Sequence, residues 1–118
     1  MKQLIKSALA GIVLLLFSIS VNAQPEPTIE IHARRYDFVP AEITLRKGQA
    51  VKLLLISDDV AHSLKIDVLH LNVKIPVGKN IETTVTPDEV GDFKGTCGVF
   101  CGSGHGKMTL GVHEVSGN

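Results

Sequence analysis

Tryptophan is absent from this chain, and aromatic residues are scarce: one tyrosine and four phenylalanines among 118 residues. Any core must therefore rest on Ile, Val and Leu. No run of basic residues appears, which argues against nucleic acid as a partner. No segment sustains a helical period, so a helical bundle is excluded. There is no Ser/His/Asp set, phosphate loop or paired carboxylates, and Asp58-Asp59 reads as a polar turn. An enzyme is not expected. Cysteine occurs only twice, at Cys97 and Cys101, and none follows the apolar leader, so nothing suggests a lipoprotein.

The leader itself is MKQLIK, with Lys2 and Lys6, then the apolar ALAGIVLLLFSIS, then Val21-Asn22-Ala23 before Gln24. A basic start, an apolar stretch and a small-residue cleavage site form the order of a secretory signal. The apolar stretch is short of the about 20 residues that span a bilayer. Residues 1–23 are expected to be a signal peptide that exports the protein to the periplasm. The mature chain would then be residues 24–118, with ten Lys and Arg against twelve Asp and Glu, and no integral membrane span. In that compartment two cysteines form a disulfide by default.

After a Pro-rich start the chain alternates. Ile29 and Ile31, Ile43 and Leu45, and Val51, Leu53 and Leu55 each skip one residue. So do Leu64 and Ile66, Leu71, Val73 and Ile75, and Ile81, Thr83 and Val85. The end repeats the pattern through Met108, Leu110 and Val112, before His113-Glu114-Val115. Period two with turns between, such as Lys47-Gly48 and Pro76-Val77-Gly78, predicts half-buried strands. Seven to eight short strands in this length predict an all-β domain, a sandwich of two sheets.

The chemistry concentrates in CGVFCGSGHGKM, residues 97–108. Cys97 and Cys101 are four apart, His105 is four beyond, and Met108 opens the last strand. Four glycines let such a loop curl until its side chains converge. Thiolate, imidazole and thioether form a soft donor set that suits copper and, less specifically, zinc. A further histidine is expected from elsewhere, and His62 in SDDVAHSLKI is the best placed. His32, His70 and His113 read as surface or packed histidines.

At this point the pattern resembles a known family. Cys97, Cys101, His105 and Met108 match the loop Cys-x3-Cys-x3-His-x2-Met of the copper A (CuA) domain found in cytochrome oxidase subunit II and nitrous oxide reductase. Asp59-Val60-Ala61-His62-Ser63-Leu64 is similar to the cupredoxin segment bearing the first histidine ligand. Residues 38–45, Lys47-Gly48-Gln49, Pro76-Val77-Gly78 and Val90-Gly91-Asp92-Phe93 resemble the surrounding cupredoxin frame. The resemblance implies a Greek-key sandwich over residues 24–118 and two copper ions bridged by Cys97 and Cys101. It implies His62 on one copper and His105 on the other. Met108 and the backbone carbonyl of Val99 would be weak ligands. Val99 stands where the family usually has an acidic or amide residue, and the oxidase domain's Trp is missing.

The resemblance further implies a one-electron carrier. With only a signal-like segment before the copper domain and no Trp, it is expected to be free-standing, and a small sandwich with an exposed ligand loop is expected to be monomeric. Its redox partner would be a protein such as a c-type cytochrome or a terminal reductase. Val99, Phe100 and Leu64 are expected to limit water, and Val99, Phe100 and the Leu69–Leu71 stretch to form a docking patch. Three other readings use the same residues. One is a periplasmic copper carrier or a mononuclear copper protein. Another is a zinc site of two thiolates and two imidazoles from Cys97, Cys101, His105 and His62. The last is a Cys97–Cys101 disulfide.

Overall fold

The computed structural model describes residues 25–117 together with Leu16 and Ser18. The expected signal peptide and its cleavage site otherwise lie outside the described residues. Among the described residues, no helix is long and apolar enough to cross a membrane.

The described residues form nine strands: β1 (Thr28–Arg34), β2 (Asp37–Val39), β3 (Glu42–Arg46), β4 (Val51–Ser57), β5 (His62–Ile66), β6 (Leu71–Ile75), β7 (Ile81–Val85), β8 (Gly91–Thr96) and β9 (Thr109–Val115). Short 3-10 turns stand at Asp67–Leu69 and His105–Lys107. One sheet runs in the order β2-β1-β4-β7 and the other in the order β3-β9-β8-β5-β6. β1 lies parallel to β4, and β3 parallel to β9, while the remaining neighbours are antiparallel. The chain changes sheets after β2, β3, β4, β6 and β7. The all-β Greek-key sandwich is thus the observed architecture.

Each alternating segment becomes a strand with its apolar members inward. Ile31, Leu53, Leu55, Leu64, Ile66, Ile75 and Leu110 are fully buried, and Phe38 is the one aromatic ring buried with them among the described residues. Branched aliphatic side chains fill the space between two sheets about 10 Å apart without large rings. The expected seven to eight strands become nine because β2 and β8 carry too few apolar residues to alternate. β2 is three residues long and buries only Phe38. β8 reads GDFKGT, and its most buried position is Gly95. A Cβ at Gly95 would stand 3.1 Å from both Leu64 and Ile66 and 3.3 Å from Leu110. Glycine there lets β8 sit between β5 and β9 with their side chains closing over it.

This arrangement gathers the chemistry at one end. β8 leads into the loop at Cys97, and β9 leaves it after Met108. β5 begins at His62, opposite Ile75, the last residue of β6.

Candidate metal centre

His62 arrives by way of a tight turn after β4. Ser57 Oγ donates to the Val60 carbonyl, and the Asp59 N–H donates back to Ser57 Oγ at 3.3 Å. The turn places the Asp59 carboxylate 2.6 Å from His62 Nε2. Asp59 also accepts from the backbone N–H groups of Arg35 at 2.7 Å and of Val60 at 2.6 Å. Burial pushes the Asp59 pKa up, but the hydrogen bonds from Arg35, His62 and Val60 outweigh it and hold it at about 2. An ionised carboxylate on Nε2 keeps the proton on that nitrogen. Nδ1 is left with its lone pair, and it faces Cys97 Sγ at 4.0 Å.

The next residue also serves the loop. Ser63 is buried, and its Oγ accepts the Gly98 N–H at 2.7 Å. The loop is thereby pinned to β5 one residue after Cys97. Cys97 Sγ lies 3.2 Å from the Val99 carbonyl oxygen and 3.7 Å from Cys101 Sγ. Cys101 Sγ in turn lies 3.7 Å from His105 Nδ1 and 3.8 Å from Met108 Sδ. Both cysteines are buried and unbonded. All six sequence-predicted positions, His62, Cys97, Val99, Cys101, His105 and Met108, therefore meet in one place. Met108 falls just before β9, as the residue that closes the 3-10 turn, and is buried at its base.

The donor set and its spacing fit a soft metal. Two donors at about 2.0–2.3 Å from a tetrahedral ion stand about 3.5 Å apart. The contacts found here run from 3.2 to 4.0 Å. His62, Cys97 and Cys101 place one donor atom each within 4.8 Å of one another, the one such group among the described residues. The arrangement falls into two halves. Cys97 has His62 and the Val99 carbonyl beside it, while Cys101 has His105 and Met108. Without metal, burial and then the neighbouring Cys97 thiol push the Cys101 pKa up to about 11. Binding of a metal as thiolate would therefore release protons.

Two residues that sequence reasoning missed hold the far side of the loop. Arg35 Nε donates to the Cys101 carbonyl at 3.0 Å. Tyr36 packs closely against Gly102 and Gly104. A Cβ at Gly102 would come within 2.4 Å of the Tyr36 hydroxyl, and one at Gly104 within 2.4 Å of its ring. A hydrogen bond with the Ser103 side chain lowers the Tyr36 pKa. Both residues belong to the β1–β2 turn, 60 or more positions from the loop, so no local pattern announces them. The only sequence signal was the density of glycines, which here make room for a ring.

The other histidines stand apart from the centre. His32 bridges Glu30 and Asp58, each at 2.6 Å, and His113 bridges Asp92 at 2.6 Å and Glu42 at 3.5 Å. His70 occupies the left-handed position after the Asp67–Leu69 turn. Two expectations about the surroundings need correction. Phe100 does not seal the site, because it is 81% exposed, its ring tilted against His105 with centroids 5.9 Å apart. The Leu69–Leu71 stretch offers no exposed apolar patch beside Val99 and Phe100, because Leu71 is buried and Leu69 packs partly buried against the core.

The sequence match agrees with this geometry. Residues 7–110 match the family described as cupredoxin-like domain. The chain belongs to the cupredoxin-like family. A probable cytochrome c oxidase subunit 2 of Streptomyces avermitilis is 35% identical over 72 residues, covering 61% of this cupredoxin-like chain and 23% of that protein. The probable cytochrome c oxidase subunit 2 of Rickettsia prowazekii is 26% identical over 91 residues, covering 77% of this chain and 29% of that protein. The chain thus spans less than a third of the length of these curated relatives. The periplasmic domain of cytochrome oxidase subunit II (CoxB) of Bradyrhizobium japonicum superposes with a TM-score of 0.71 at 15% identity. That match covers 79% of this chain and 86% of the other, and at such identity it bears on the fold.

Proposed function

We propose that this cupredoxin-like protein binds two copper ions in a CuA-like centre and carries single electrons in the periplasm. The observation that supports the reading best is the two-sided donor arrangement around a shared pair of thiols. His62 and the Val99 carbonyl flank Cys97, and His105 and Met108 flank Cys101. A single tetrahedral zinc would leave Met108 and the Val99 carbonyl without a role. The name of the relatives, cytochrome c oxidase subunit 2, supports a redox role, and the signal-like leader supports an exported location.

Copper held there would supply a one-electron couple. The chain's own part is to keep the donors still. Cys97 and Met108 are tied to the ends of β8 and β9, and His62 to the start of β5, so the packed sandwich fixes three of them. Asp59 sets the His62 tautomer, and the Ser63 and Arg35 hydrogen bonds hold the two ends of the Cys97–Cys101 segment. A centre that barely moves between oxidation states exchanges electrons with little reorganisation. Leu64, Cys97, Cys101 and Met108 are buried and keep water from the sulfurs, while the exposed Phe100 and half-buried His105 bring one side of the centre to the surface.

The test is copper stoichiometry and electron paramagnetic resonance on reduced protein loaded with copper. Two coppers per chain, with hyperfine structure from one electron shared by two nuclei, is the expected result. Cys97→Ser and Cys101→Ser should each abolish that spectrum. One copper with single-nucleus splitting would overturn the dinuclear centre. Rapid loss of copper to a competing chelator would favour delivery over electron transfer.

A further inference from the structure

Phe100 stands almost fully in solvent, its ring tilted against His105, and borders two clefts. One is lined by Arg35, Val60, Ala61, Cys101 and Gly102, and the other by Ala61, His62, Lys74, Pro76 and Val99. Each cleft reaches a metal donor, Cys101 in the first and His62 in the second. The apolar members, with the exposed Val77 beside them, form a small surface of the kind that mediates contact.

The charge around that surface is mostly positive. Arg35 and Lys74 line the clefts, Lys107 lies between His105 and Met108, and none of the three makes an ion pair among the described residues. Among the carboxylates at this end, Asp37 is paired with Arg34, and Asp58 lies against His32. Asp59 is ionised against a neutral His62 and keeps its charge. Around Phe100, Arg35, Lys74 and Lys107 outnumber the ionised Asp59, so the rim is cationic in excess, although the chain as a whole carries as many acids as bases.

We propose that Phe100 and its cationic rim are the docking surface for a redox protein that presents carboxylates around an apolar contact. The inference rests on the electron-carrier reading and specifies its partner. Opposite charge at the rim would steer the encounter, and the apolar centre would hold it close to the donors. Phe100, in contact with the His105 ring, would lie at the middle of the contact.

The test uses two haem proteins as probes, the acidic cytochrome b5 and the basic mitochondrial cytochrome c. Each is titrated into the isotope-labelled, reduced protein, with and without copper, and amide shifts are mapped by nuclear magnetic resonance. Cytochrome b5 is expected to shift residues near Ala61, Lys74 and Val99–Gly102, with an affinity that falls as salt rises. Lys74→Glu should weaken that binding roughly tenfold. Lys47→Glu, at the turn after β3 on the opposite end, should leave it unchanged. Equal or tighter binding of cytochrome c, or shifts elsewhere on the surface, would overturn the proposal. The two readings fail separately. Docking at Phe100 with no electron passing from reduced cytochrome b5 to the oxidised, copper-loaded protein would sink the electron carrier and leave the surface standing.

Discussion

The smallest unit that decides the site is Asp59. It is ionised, held by two backbone N–H groups, and fixes both the rotation and the tautomer of His62. A histidine whose outer nitrogen is free would rotate or take the wrong proton, and would present its lone pair for only part of the time. Partners of this kind typically contribute 10–100-fold to metal affinity. Asp59→Ala should accordingly weaken copper binding by roughly 10–100-fold, measured by competition with a chelator of known affinity. Asp59→Asn retains an acceptor oxygen and should lose less. If both substitutions bind copper like the parent protein, the carboxylate is only part of the turn. In sequence Asp58-Asp59 read as a polar turn, which is correct as conformation and incomplete as chemistry. Three residues of separation do not reveal that a turn folds one side chain back onto another.

At the scale of elements, the ligand loop is shaped as much by the β1–β2 turn as by its own residues. Glycine at position 104 has an ordinary backbone, φ −90°, so its reason is the Tyr36 ring and not its dihedral. Position 102, at φ 139°, has both reasons. The two should therefore respond differently. Gly104→Ala is expected to destabilise the metal-free protein by about 1–3 kcal/mol, the usual cost of overpacking, and Tyr36→Ala should recover most of that loss. Gly102→Ala should be recovered only in part, because its backbone strain stays. Chemical denaturation of the single and double variants reads this coupling directly. Additive losses at Gly104 and Tyr36 would show that the ring does not press on the loop. The same comparison shows what was legible. The six donor positions were read from spacing and resemblance because they lie in two short segments. Arg35 and Tyr36 were not, because long-range packing leaves no periodic trace. β5 and β9 alternated plainly, whereas β8 hid behind Gly95, whose missing side chain is the very thing that lets its neighbours close.

Across the whole molecule, β9 joins two opposite environments. It leaves the donor cluster at Met108 and, about 20 Å further on by strand rise, buries Glu114 on the same face as Leu110 and Val112. Alternation there places the acid inward and leaves Val115 at the surface. Glu114 is 2% exposed, and neither carboxylate oxygen has a hydrogen-bond partner. Burial, and then the charges of Asp88 and Glu89, raise its pKa above the ordinary value of 4.5. The hydrogen bonds that His32 donates to Asp58 and Glu30 raise its pKa, and the one that His113 donates to Asp92 raises its own, above 6.5. A raised value in the folded state means that the folded protein binds more protons, so stability falls as pH rises. The contribution of Glu114 is complete below about 4.5 and is lost as pH climbs through its raised folded value. The histidine contributions are complete below about 6.5 and are lost above it in the same way. Glu114→Met replaces two unsatisfied oxygens with an apolar chain, and should stabilise the metal-free, reduced protein at pH 7 by about 1–3 kcal/mol. It should also flatten the decline that begins near pH 4.5 while leaving the one that begins near 6.5. Urea denaturation of both proteins from pH 4 to 8 measures each effect. A variant no more stable than its parent at neutral pH, with the same slope throughout, would mean that Glu114 is solvated in solution and carries no such cost.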